Sequence, residues 1–275
     1  MSDDMTIDWS YSNAQLYESC PRSLFYHYWQ RIGVDTDSEA ADERILRGQP
    51  GAGALIGTAI HTALSEHIDR WSRGEQTGLK IIRQVARDYI NEIFDENPTL
   101  VAEVGPESLI QTSDAHIGRF FRVIWPQFRE HRYILHEATC SFNIGSTKVW
   151  VRPDLCTRNN GELFITDWKS RRPAIFEDPS LQLSVYALWG HQEYEPDIGR
   201  LSVQLVFTSD GRIDRQSVDE EDLTQLKDKI TGDVLKWGNP NDRNNFPTDE
   251  SLEKCSNCPY LHSCNVGQTT VKESR

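Results

Sequence analysis

VRPDLCTRNNGELFITDWK, residues Val151–Lys169, is the stretch that decides the fold. Its Asn160-Gly161 pair lies between two apolar runs, which is a strong signal for a tight β-hairpin. Alternate residues of a strand share a face, so Asp167 and Lys169 point the same way. Because the hairpin folds this strand back toward Asp154, the sequence predicts two carboxylates and an ammonium at one end of a sheet.

These three side chains suit metal-assisted chemistry. Carboxylate oxygens are the hard ligands that Mg²⁺ and Mn²⁺ prefer. A neighbouring lysine can orient and activate a water molecule, or neutralise charge that builds on a phosphate. The pattern Asp-x12-Asp-x-Lys is weak evidence alone, because an exposed hairpin with ordinary surface charges has the same spacing.

Two helical motifs add candidates for the same site. Gly57 and His61 are four residues apart and share one face of an apolar helix. Glycine weakens a helix by about 1 kcal/mol relative to alanine, which indicates close approach of another element at Gly57. His61 is a candidate third metal ligand, or a histidine that is only packed. Gln182 and Tyr186 share a helix face after the lysine strand and either face the site or pack against the sheet.

The C-terminal region has a second ligand pattern. Cys255, Cys258 and Cys264 are spaced as Cys-x2-Cys-x5-Cys, and clustered cysteines in an intracellular chain favour metal binding over disulfides. Zinc sites and cubane iron–sulfur clusters usually take four ligands. Cys20 is the predicted fourth ligand, and His262 is an alternative that favours zinc.

The composition narrows the class of protein. The 275 residues include 29 Lys and Arg against 42 Asp and Glu, a net charge of −13, which argues against nucleic-acid binding through a broad basic face but not through a local groove. No run approaches the roughly 20 apolar residues of a membrane span. The acidic start of the chain is unlike a secretory signal. We therefore expect a cytoplasmic protein with no membrane partner.

Apolar periodicity predicts an α/β fold in which a central mixed β-sheet is flanked by helices. A capping-box pattern at Ser12 and Gln15 predicts a helix from Asn13 past Cys20 to Tyr28. The acidic segment Gly33–Gly53 is predicted to be a flexible connection or lid. Further helices are predicted around residues 55–71, 81–93, 107–131, 180–191 and 220–237, and strands at 133–144, 148–157, 162–169, 201–208 and 212–217.

Within one integrated domain, we predict three regions. Residues 1–132 form an N-terminal helical region, 133–237 form the core, and 238–275 form a cysteine-containing tail. Cys140 and Cys156 lie in apolar, strand-like stretches and are predicted to be small, buried core residues.

Taken together in chain order, these motifs resemble a known family. They are Cys20-Pro21-Arg22, Gly57-x3-His61, Pro153-Asp154, Asp167-x-Lys169, Gln182-x3-Tyr186 and Cys255-x2-Cys258-Pro259-x4-Cys264. The sequence resembles the PD-(D/E)XK nucleases of the RecB type, and specifically their iron–sulfur branch. That branch includes the CRISPR-associated RecB-like exonucleases and the nuclease domains of AddAB-type helicase–nucleases. The resemblance implies a restriction-endonuclease-like core with a C-terminal iron–sulfur tail.

The resemblance also implies roles for individual residues. His61, Asp154 and Asp167 would hold Mg²⁺ or Mn²⁺, with the Trp168 carbonyl as a further ligand. Lys169 would serve the attacking water, while Gln182 and Tyr186 would orient the site or contact the strand. Glu137 is a candidate outer-shell carboxylate. A [4Fe–4S] cluster would tie the two chain ends together through Cys20, Cys255, Cys258 and Cys264.

The implied function is a divalent-metal-dependent deoxyribonuclease. We expect an exonuclease on single-stranded DNA or duplex ends, acting in repair, recombination or CRISPR-type processing beside other DNA-processing proteins. A groove lined by Lys169, Arg171 and Arg172 would bind the DNA. Two alternatives remain open: a DNA-end-binding or adaptor protein that turns over little, and a structural zinc site in place of the cluster.

Overall fold

A computed structural model describes residues 6–31, 52–96, 105–171, 179–194 and 197–274. The chain forms two compact units. We call Pro50–Cys140 with Val151–Thr224 the sheet unit. We call Met1–Gln49 with Ser141–Trp150 and Gln225–Arg275 the terminal unit. The predicted lid at 33–53 lies outside the described residues, apart from its last two residues.

Both units contain strands and α-helices. The strands are β1 (Trp9–Ser10), β2 (Arg132–Leu135), β3 (Cys140–Ile144), β4 (Thr147–Val151), β5 (Leu155–Asn159), β6 (Glu162–Lys169), β7 (Leu201–Phe207) and β8 (Ile213–Gln216). The α-helices are α1 (Tyr11–Ser19), α2 (Pro21–Arg31), α3 (Ala52–Ser72), α4 (Leu79–Glu96), α5 (Pro106–Arg119), α6 (Pro179–Tyr194), α7 (Glu220–Trp237), α8 (Leu252–Ser256) and α9 (Asn265–Glu273).

A five-stranded sheet with the order β2-β5-β6-β7-β8 forms the centre of the sheet unit. Strands β6 and β7 are parallel, and the other neighbours are antiparallel, so the sheet is mixed. The predicted hairpin is present, because Asn160 and Gly161 both have positive φ, at 50° and 82°. The turn pairs Leu155 with Thr166 and so brings Asp154 to the end of β6 that carries Asp167. The predicted fold class is confirmed.

The apolar face of β6 is held against helical residues. Trp168 points away from Asp167 and is 2% exposed, in a core cluster with Phe120 and Phe128. The α3 residues Ile60, Leu64 and Ile68 belong to the same cluster and have the spacing of one helix face. Burial of three aromatic rings gives β6 a fixed position. The polar face of the same strand is therefore fixed as well.

In the terminal unit, a three-stranded sheet has the order β1-β4-β3, and only its end residues Cys140 and Val151 belong to the sheet unit. Strand β1 is parallel to β4, and the Trp9 indole donates a hydrogen bond to Asp233 Oδ2 at 3.0 Å. The Tyr17 ring packs 5.9 Å from Trp237, between ring centroids. This unit has its own aromatic core.

The structure corrects several predicted element boundaries, two of them at a proline. The helix predicted from Asn13 to Tyr28 is two helices, because Pro21 restricts Cys20 to extended backbone, at φ −162° and ψ 116°. Its N-cap is Ser10, whose side chain accepts from the Asn13 amide, and not Ser12. The strand predicted at 133–144 divides into β2 and β3, and the strand at 148–157 divides into β4 and β5 on either side of Pro153.

Two further predictions need correction. The helix predicted at 107–131 keeps α-helical geometry only to Arg119, after which Phe120–Ile124 form a wider π-helical turn. Cys156 is buried as predicted, but Cys140 is only half-buried. None of the helices in the described ranges combines the length and the apolar character needed to cross a bilayer.

Candidate active site

One part of the candidate site joins an imidazole to two carboxylates, and we call it the imidazole–carboxylate group. His61 on α3 has its Nδ1 atom 3.5 Å from Glu137 Oε1 and 3.5 Å from Asp154 Oδ1. One potential ligand atom from each residue lies within 4.8 Å of the other two. Among the described residues, no other trio of His, Cys, Asp or Glu side chains meets this distance.

Burial and charge set the protonation of this group. Burial alone would lower the pKa of His61, but the Asp154 and Glu137 carboxylates outweigh it and raise the pKa to about 10. Burial raises the pKa of Asp154 to about 6, the Asp167 carboxylate adds to the rise, and His61 opposes it. Burial would raise the pKa of Glu137, but His61 and Arg152 bring it below its ordinary value. An imidazolium thus sits between two carboxylates, where a cation is favoured.

The second part of the site, which we call the lysine group, comprises Asp167, Lys169, Gln182 and Tyr186. The Lys169 ammonium lies 2.7 Å from Asp167 Oδ2 and donates to Gln182 Oε1 at 3.0 Å. The Gln182 amide donates to Asp167 Oδ1 at 2.9 Å and to the Tyr186 hydroxyl at 3.0 Å. Gln182 and Tyr186 therefore face the site. This is one of the two alternatives that the sequence leaves open.

Tyr186 extends this network to the backbone before Asp154. Its hydroxyl donates to the Arg152 carbonyl at 2.9 Å and is 3.4 Å from Asp167 Oδ1. Burial raises the pKa of Tyr186 well above its ordinary value, and the carboxylates of Asp167 and Asp154 add to the rise. The phenol is a neutral hydrogen-bond donor over the whole physiological pH range.

The backbone of Trp168 connects the two groups. Its amide donates to Asp154 Oδ2 at 2.5 Å, and its carbonyl accepts from His61 Nε2 at 3.1 Å. Since Nε2 carries the proton in this bond, Nδ1 of a neutral His61 would present its lone pair to Glu137 and Asp154. The Trp168 carbonyl, a predicted ligand, therefore lies beside the predicted histidine.

Gly57 allows α3 to approach this part of the sheet. A Cβ atom at Gly57 would lie 3.2 Å from Ser170 Oγ, which is tighter than most side-chain contacts. Ser170 directly follows Lys169, so the close approach predicted at Gly57 is the approach of α3 to the end of the lysine strand. One turn further along α3, His61 reaches Trp168.

Glu137 has a more central place than its sequence suggests. It follows the apolar strand β2, and no spacing motif includes it. Its φ is +48°, an uncommon value for a non-glycine residue, and its amide donates to the Pro153 carbonyl at 3.1 Å. This geometry directs the Glu137 side chain toward His61. Asp167, by contrast, contacts the other members of the lysine group. A sequence pattern does not reveal such a backbone conformation.

The four predicted cluster cysteines are neighbours within the terminal unit. The Asp249 amide donates to Cys20 Sγ at 3.4 Å, and the Cys255 thiol lies 3.9 Å from the Asp249 carbonyl. Burial raises the pKa of the Cys258 thiol, and the nearby sulfur atoms of Cys20, Cys264 and Cys255 add to the rise. His262, the alternative fourth ligand, is exposed.

The sulfur atoms border the space above Gly267. A Cβ atom at this position would lie 3.6 Å from Cys255 Sγ and 3.6 Å from Cys264 Sγ. Cys264 caps α9 and accepts from the Gly267 amide at 3.4 Å. No three of the four cysteine sulfurs, all of which are among the described residues, lie within 4.8 Å of one another.

Sequence comparison identifies the family to which this arrangement belongs. The sequence profile of the PD-(D/E)XK nuclease superfamily matches residues 8–265. The chain belongs to this superfamily. The match covers the imidazole–carboxylate group, the lysine group and the four clustered cysteines, so all the motifs of the resemblance lie within it. A comparison with curated proteins finds no match.

Two solved structures are similar to this member of the superfamily. A candidate exonuclease from Eubacterium rectale has 12% identity and a TM-score of 0.38, over 64% of this chain and 71% of its own. A protein designated SSO0001 has 18% identity and a TM-score of 0.32, over 66% of this chain and 81% of its own. Likenesses of this size add nothing to the assignment, which rests on the family profile.

Proposed function

We propose that the chain is a divalent-metal-dependent deoxyribonuclease of the RecB-like iron–sulfur branch, acting as an exonuclease on single strands or duplex ends. One observation carries the proposal. The potential ligand atoms of His61, Glu137 and Asp154 lie within 4.8 Å of one another, in the same unit as a lysine that is fixed by Asp167 and Gln182. A cation site beside a positioned ammonium suits hydrolysis of a phosphodiester.

The residues present fit Mg²⁺ or Mn²⁺. Two carboxylates and an imidazole are an accepted ligand set for these ions, and the proton between them on His61 marks where positive charge is already stabilised. His61, Asp154 and Glu137 would hold the ion, with Asp167 as a further ligand that the family resemblance implies. The Trp168 carbonyl, which the resemblance also implies, accepts from His61 Nε2 on the other edge of the ring and would lie outside this ligand set. When bound, the ion supplies Lewis-acid polarisation of the phosphate and lowers the pKa of water.

The chain's own residues would prepare the reaction. Asp167 and Gln182 fix the Lys169 ammonium from two sides, so its donors are oriented before substrate arrives. Lys169 would bind the attacking water or the phosphate oxygen that gains charge. Gln182 and Tyr186 would keep Asp167 in place, since each contacts its Oδ1 atom.

DNA is the proposed substrate despite the net charge of −13. A bound cation reverses the sign of the field around Asp154 and Asp167, which removes the local repulsion of a polyanion. Of the predicted groove residues, Lys169 and Arg171 are described, and Arg172 lies outside the described residues. Binding would rely on this narrow basic track. Repair, recombination or CRISPR-type processing, beside other DNA-processing proteins, is the proposed setting.

A [4Fe–4S] cluster is the proposed group at Cys20, Cys255, Cys258 and Cys264. The donor set fits, because all four residues are thiols and the Gly267 position leaves space beside two of them. The family resemblance favours this group over zinc, which the same four thiols could also hold.

The metal content decides between these two groups. Anaerobically purified protein should be brown, contain iron and sulfide, and absorb broadly at about 400 nm, as the family resemblance implies. Colourless protein with stoichiometric zinc would refute the iron–sulfur assignment and leave the nuclease proposal standing.

Cleavage of end-labelled DNA tests the nuclease proposal. Single-stranded, linear duplex and circular DNA would be incubated with Mg²⁺ or Mn²⁺. The wild type should release label from linear substrates and spare circles, whereas Lys169→Ala should be inactive with unchanged thermal stability. Lys80→Ala is the matched control, because Lys80 is exposed on α4. Cleavage of circles would indicate an endonuclease, and equal activity of wild type and Lys169→Ala would refute the catalytic assignment.

A protein that binds DNA ends tightly but never cleaves them with metal would instead be the adaptor alternative. The same experiment reveals it, because a band-shift of the labelled strand would occur without release of label.

A further inference from the structure

Arg152 is a positively charged side chain at the edge of the candidate site that the proposed chemistry does not use. It lies two residues before Asp154, and 63% of its side chain is exposed. Its Nε atom lies 3.0 Å from Glu137 Oε2 in an ion pair and donates a hydrogen bond to the Glu137 carbonyl at 3.2 Å. One edge of the guanidinium is therefore fixed, while most of its surface faces solvent.

The outer edge of this guanidinium is available for a ligand. Arginine has five N–H donors, and both contacts with Glu137, one ion pair and one hydrogen bond, are made by Nε with its single donor. The four donors on Nη1 and Nη2 have no partner among the described residues. Such a planar fork matches two oxygens of a phosphate, and its charge makes these hydrogen bonds strong.

The backbone of Arg152 is fixed between the two groups of the site. Its carbonyl accepts from Tyr186 at 2.9 Å, on the side of the lysine group. Its side chain contacts Glu137, whose other carboxylate oxygen lies 3.5 Å from His61 in the imidazole–carboxylate group. Arg152 thus contacts both halves of the site, the lysine group through its backbone carbonyl and the imidazole–carboxylate group through its guanidinium.

An ion pair as exposed as this one contributes little to folding stability, because solvent screens it and two side chains are immobilised. What the pair does accomplish is orientation. Glu137 adopts positive φ and contributes both its carbonyl and its carboxylate to one nitrogen, so the fork is held in one position. A guanidinium fixed beside a phosphodiesterase site points to a backbone phosphate as its ligand.

We propose that Arg152 binds a phosphate of the DNA strand adjacent to the phosphate that is cleaved. This inference rests on the proposed nuclease function. Lys169 and the cation would contact the reacting phosphate, and Arg152 would fix the register of the strand by a neighbouring one. Because this contact exists before and during the reaction, it affects substrate binding more than the chemical step.

Three variants test the assignment. Arg152→Gln removes the charge and the fork, and Arg152→Lys keeps the charge alone. Arg132→Gln is the matched control, because Arg132 is an exposed arginine paired with Arg158 near the hairpin turn, at the other end of β5 from Asp154. Each protein would be assayed for kcat and KM on a labelled single strand with Mg²⁺. Dissociation constants for the same strand would be measured with Mg²⁺ over a range of salt, with each variant placed in the Lys169→Ala background, in which we expect no cleavage.

Arg152→Gln should raise KM about tenfold, the typical effect of losing a charged hydrogen bond, with kcat changed less than about twofold. Its plot of log Kd against log salt should be less steep by about 0.7, the contribution of one phosphate contact to a single strand. Arg152→Lys should recover part of the KM and most of the slope. Arg132→Gln should match the wild type.

Other outcomes would overturn the inference. An unchanged KM and salt slope in Arg152→Gln, with active wild type, would show that Arg152 binds no phosphate. A fall in kcat alone would show that Arg152 acts through Glu137 on the chemical step. Equal effects of Arg132→Gln would indicate a diffuse charge effect. A wild type that neither binds nor cleaves DNA would instead refute the proposed function on which the inference rests.

Discussion

The carboxylates of the sheet unit and the cysteines of the terminal unit are held in different ways. Asp154 and Asp167 are 6% and 4% exposed and accept bonds of 2.5 Å from Trp168 and 2.9 Å from Gln182. The clustered cysteines are half-buried, and the sulfurs of Cys20 and Cys264 accept from backbone amides at 3.4 Å. Cys255 lies in the five-residue helix α8.

The two regions therefore differ in how far each depends on a bound group for its structure. The carboxylates are fixed by a sheet, by the buried Trp168 and by side-chain hydrogen bonds, all of which the chain itself supplies. The cysteines lie on short elements with weak sulfur contacts, and they join segments that are far apart in the sequence. We therefore expect the proposed metal ion of the sheet unit to supply chemistry and the proposed cluster of the terminal unit to supply stability.

The largest expected effect is the loss of activity in Asp154→Asn. The change removes one negative ligand of the proposed cation while keeping an oxygen that can accept from the Trp168 amide. Activity should fall about a thousandfold or more, since metal and positioning both act at this residue. The melting temperature without metal should change by only a few degrees, and its increase on adding Mn²⁺ should disappear.

Asp88→Asn is the control for this variant, because Asp88 is exposed on α4. A large loss of stability without metal in Asp154→Asn would break the comparison, because it would mean that the carboxylate site is structural too.

The second prediction addresses the terminal unit. Cys20→Ser should release the bound group and destabilise this unit by about 3 kcal/mol or more, in the manner of structural metal sites. Limited proteolysis should then cut at both chain ends, while protection in β6 persists. Cys140→Ser is the control, because Cys140 is a half-buried cysteine of the sheet unit.

Unchanged protease resistance of Cys20→Ser would remove Cys20 as the fourth ligand. Equal loosening of the sheet unit would remove the distinction between the two regions.

The sequence predicts well where local signals agree. Strand β6 has the predicted bounds 162–169, because period-two alternation and an Asn-Gly turn both define it. Helix α7 has the predicted bounds 220–237, since its acidic first turn and amphipathic stripe indicate both position and type. The relation of Asp154 to Asp167 follows from these local rules, because a hairpin fixes its own register.

The sequence predicts less where tertiary structure decides. A strand-like stretch from Tyr133 to Ile144 hides the division between β2 and β3, whose residues pair in different sheets. Glu137 lies in the connection between these strands, and its positive φ, set by the bond to Pro153, directs it to His61. Neither a spacing motif nor a propensity contains that information. The cysteine pattern predicts the partners of Cys20 but not the spacing of their sulfurs.

The third prediction concerns the loss of stability at low pH, which we expect to differ between the two units. His67 on α3 is 5% exposed, packs against Phe121 and Trp125, and has a buried Nε2 without a partner among the described residues. Burial lowers its pKa to about 4. A group whose pKa is lowered on folding binds protons better when unfolded, so its stabilisation is complete above about pH 6.5 and is lost as the pH falls through 4.

The loss amounts to about 3 kcal/mol across this window. Hydrogen exchange followed by mass spectrometry should show α3 and β6 losing protection between pH 6.5 and 4. His67→Gln should flatten this dependence in the sheet unit and leave α1 unaffected. A pH dependence that is identical in wild type and His67→Gln would contradict the assignment to His67.

Tyr186→Phe has the smallest expected effect. It tests how much the hydrogen bonds of the Tyr186 hydroxyl contribute to the cleavage rate. The change removes the donor to the Arg152 carbonyl and the acceptor for Gln182, at 2.9 and 3.0 Å. Loss of these neutral hydrogen bonds costs about 1 kcal/mol, so the cleavage rate should fall about tenfold at most. Tyr89→Phe on α4 is the control. Iron content should stay unchanged in both, because the cysteines are held by other residues; a loss of iron in Tyr186→Phe would mean that the two regions depend on each other.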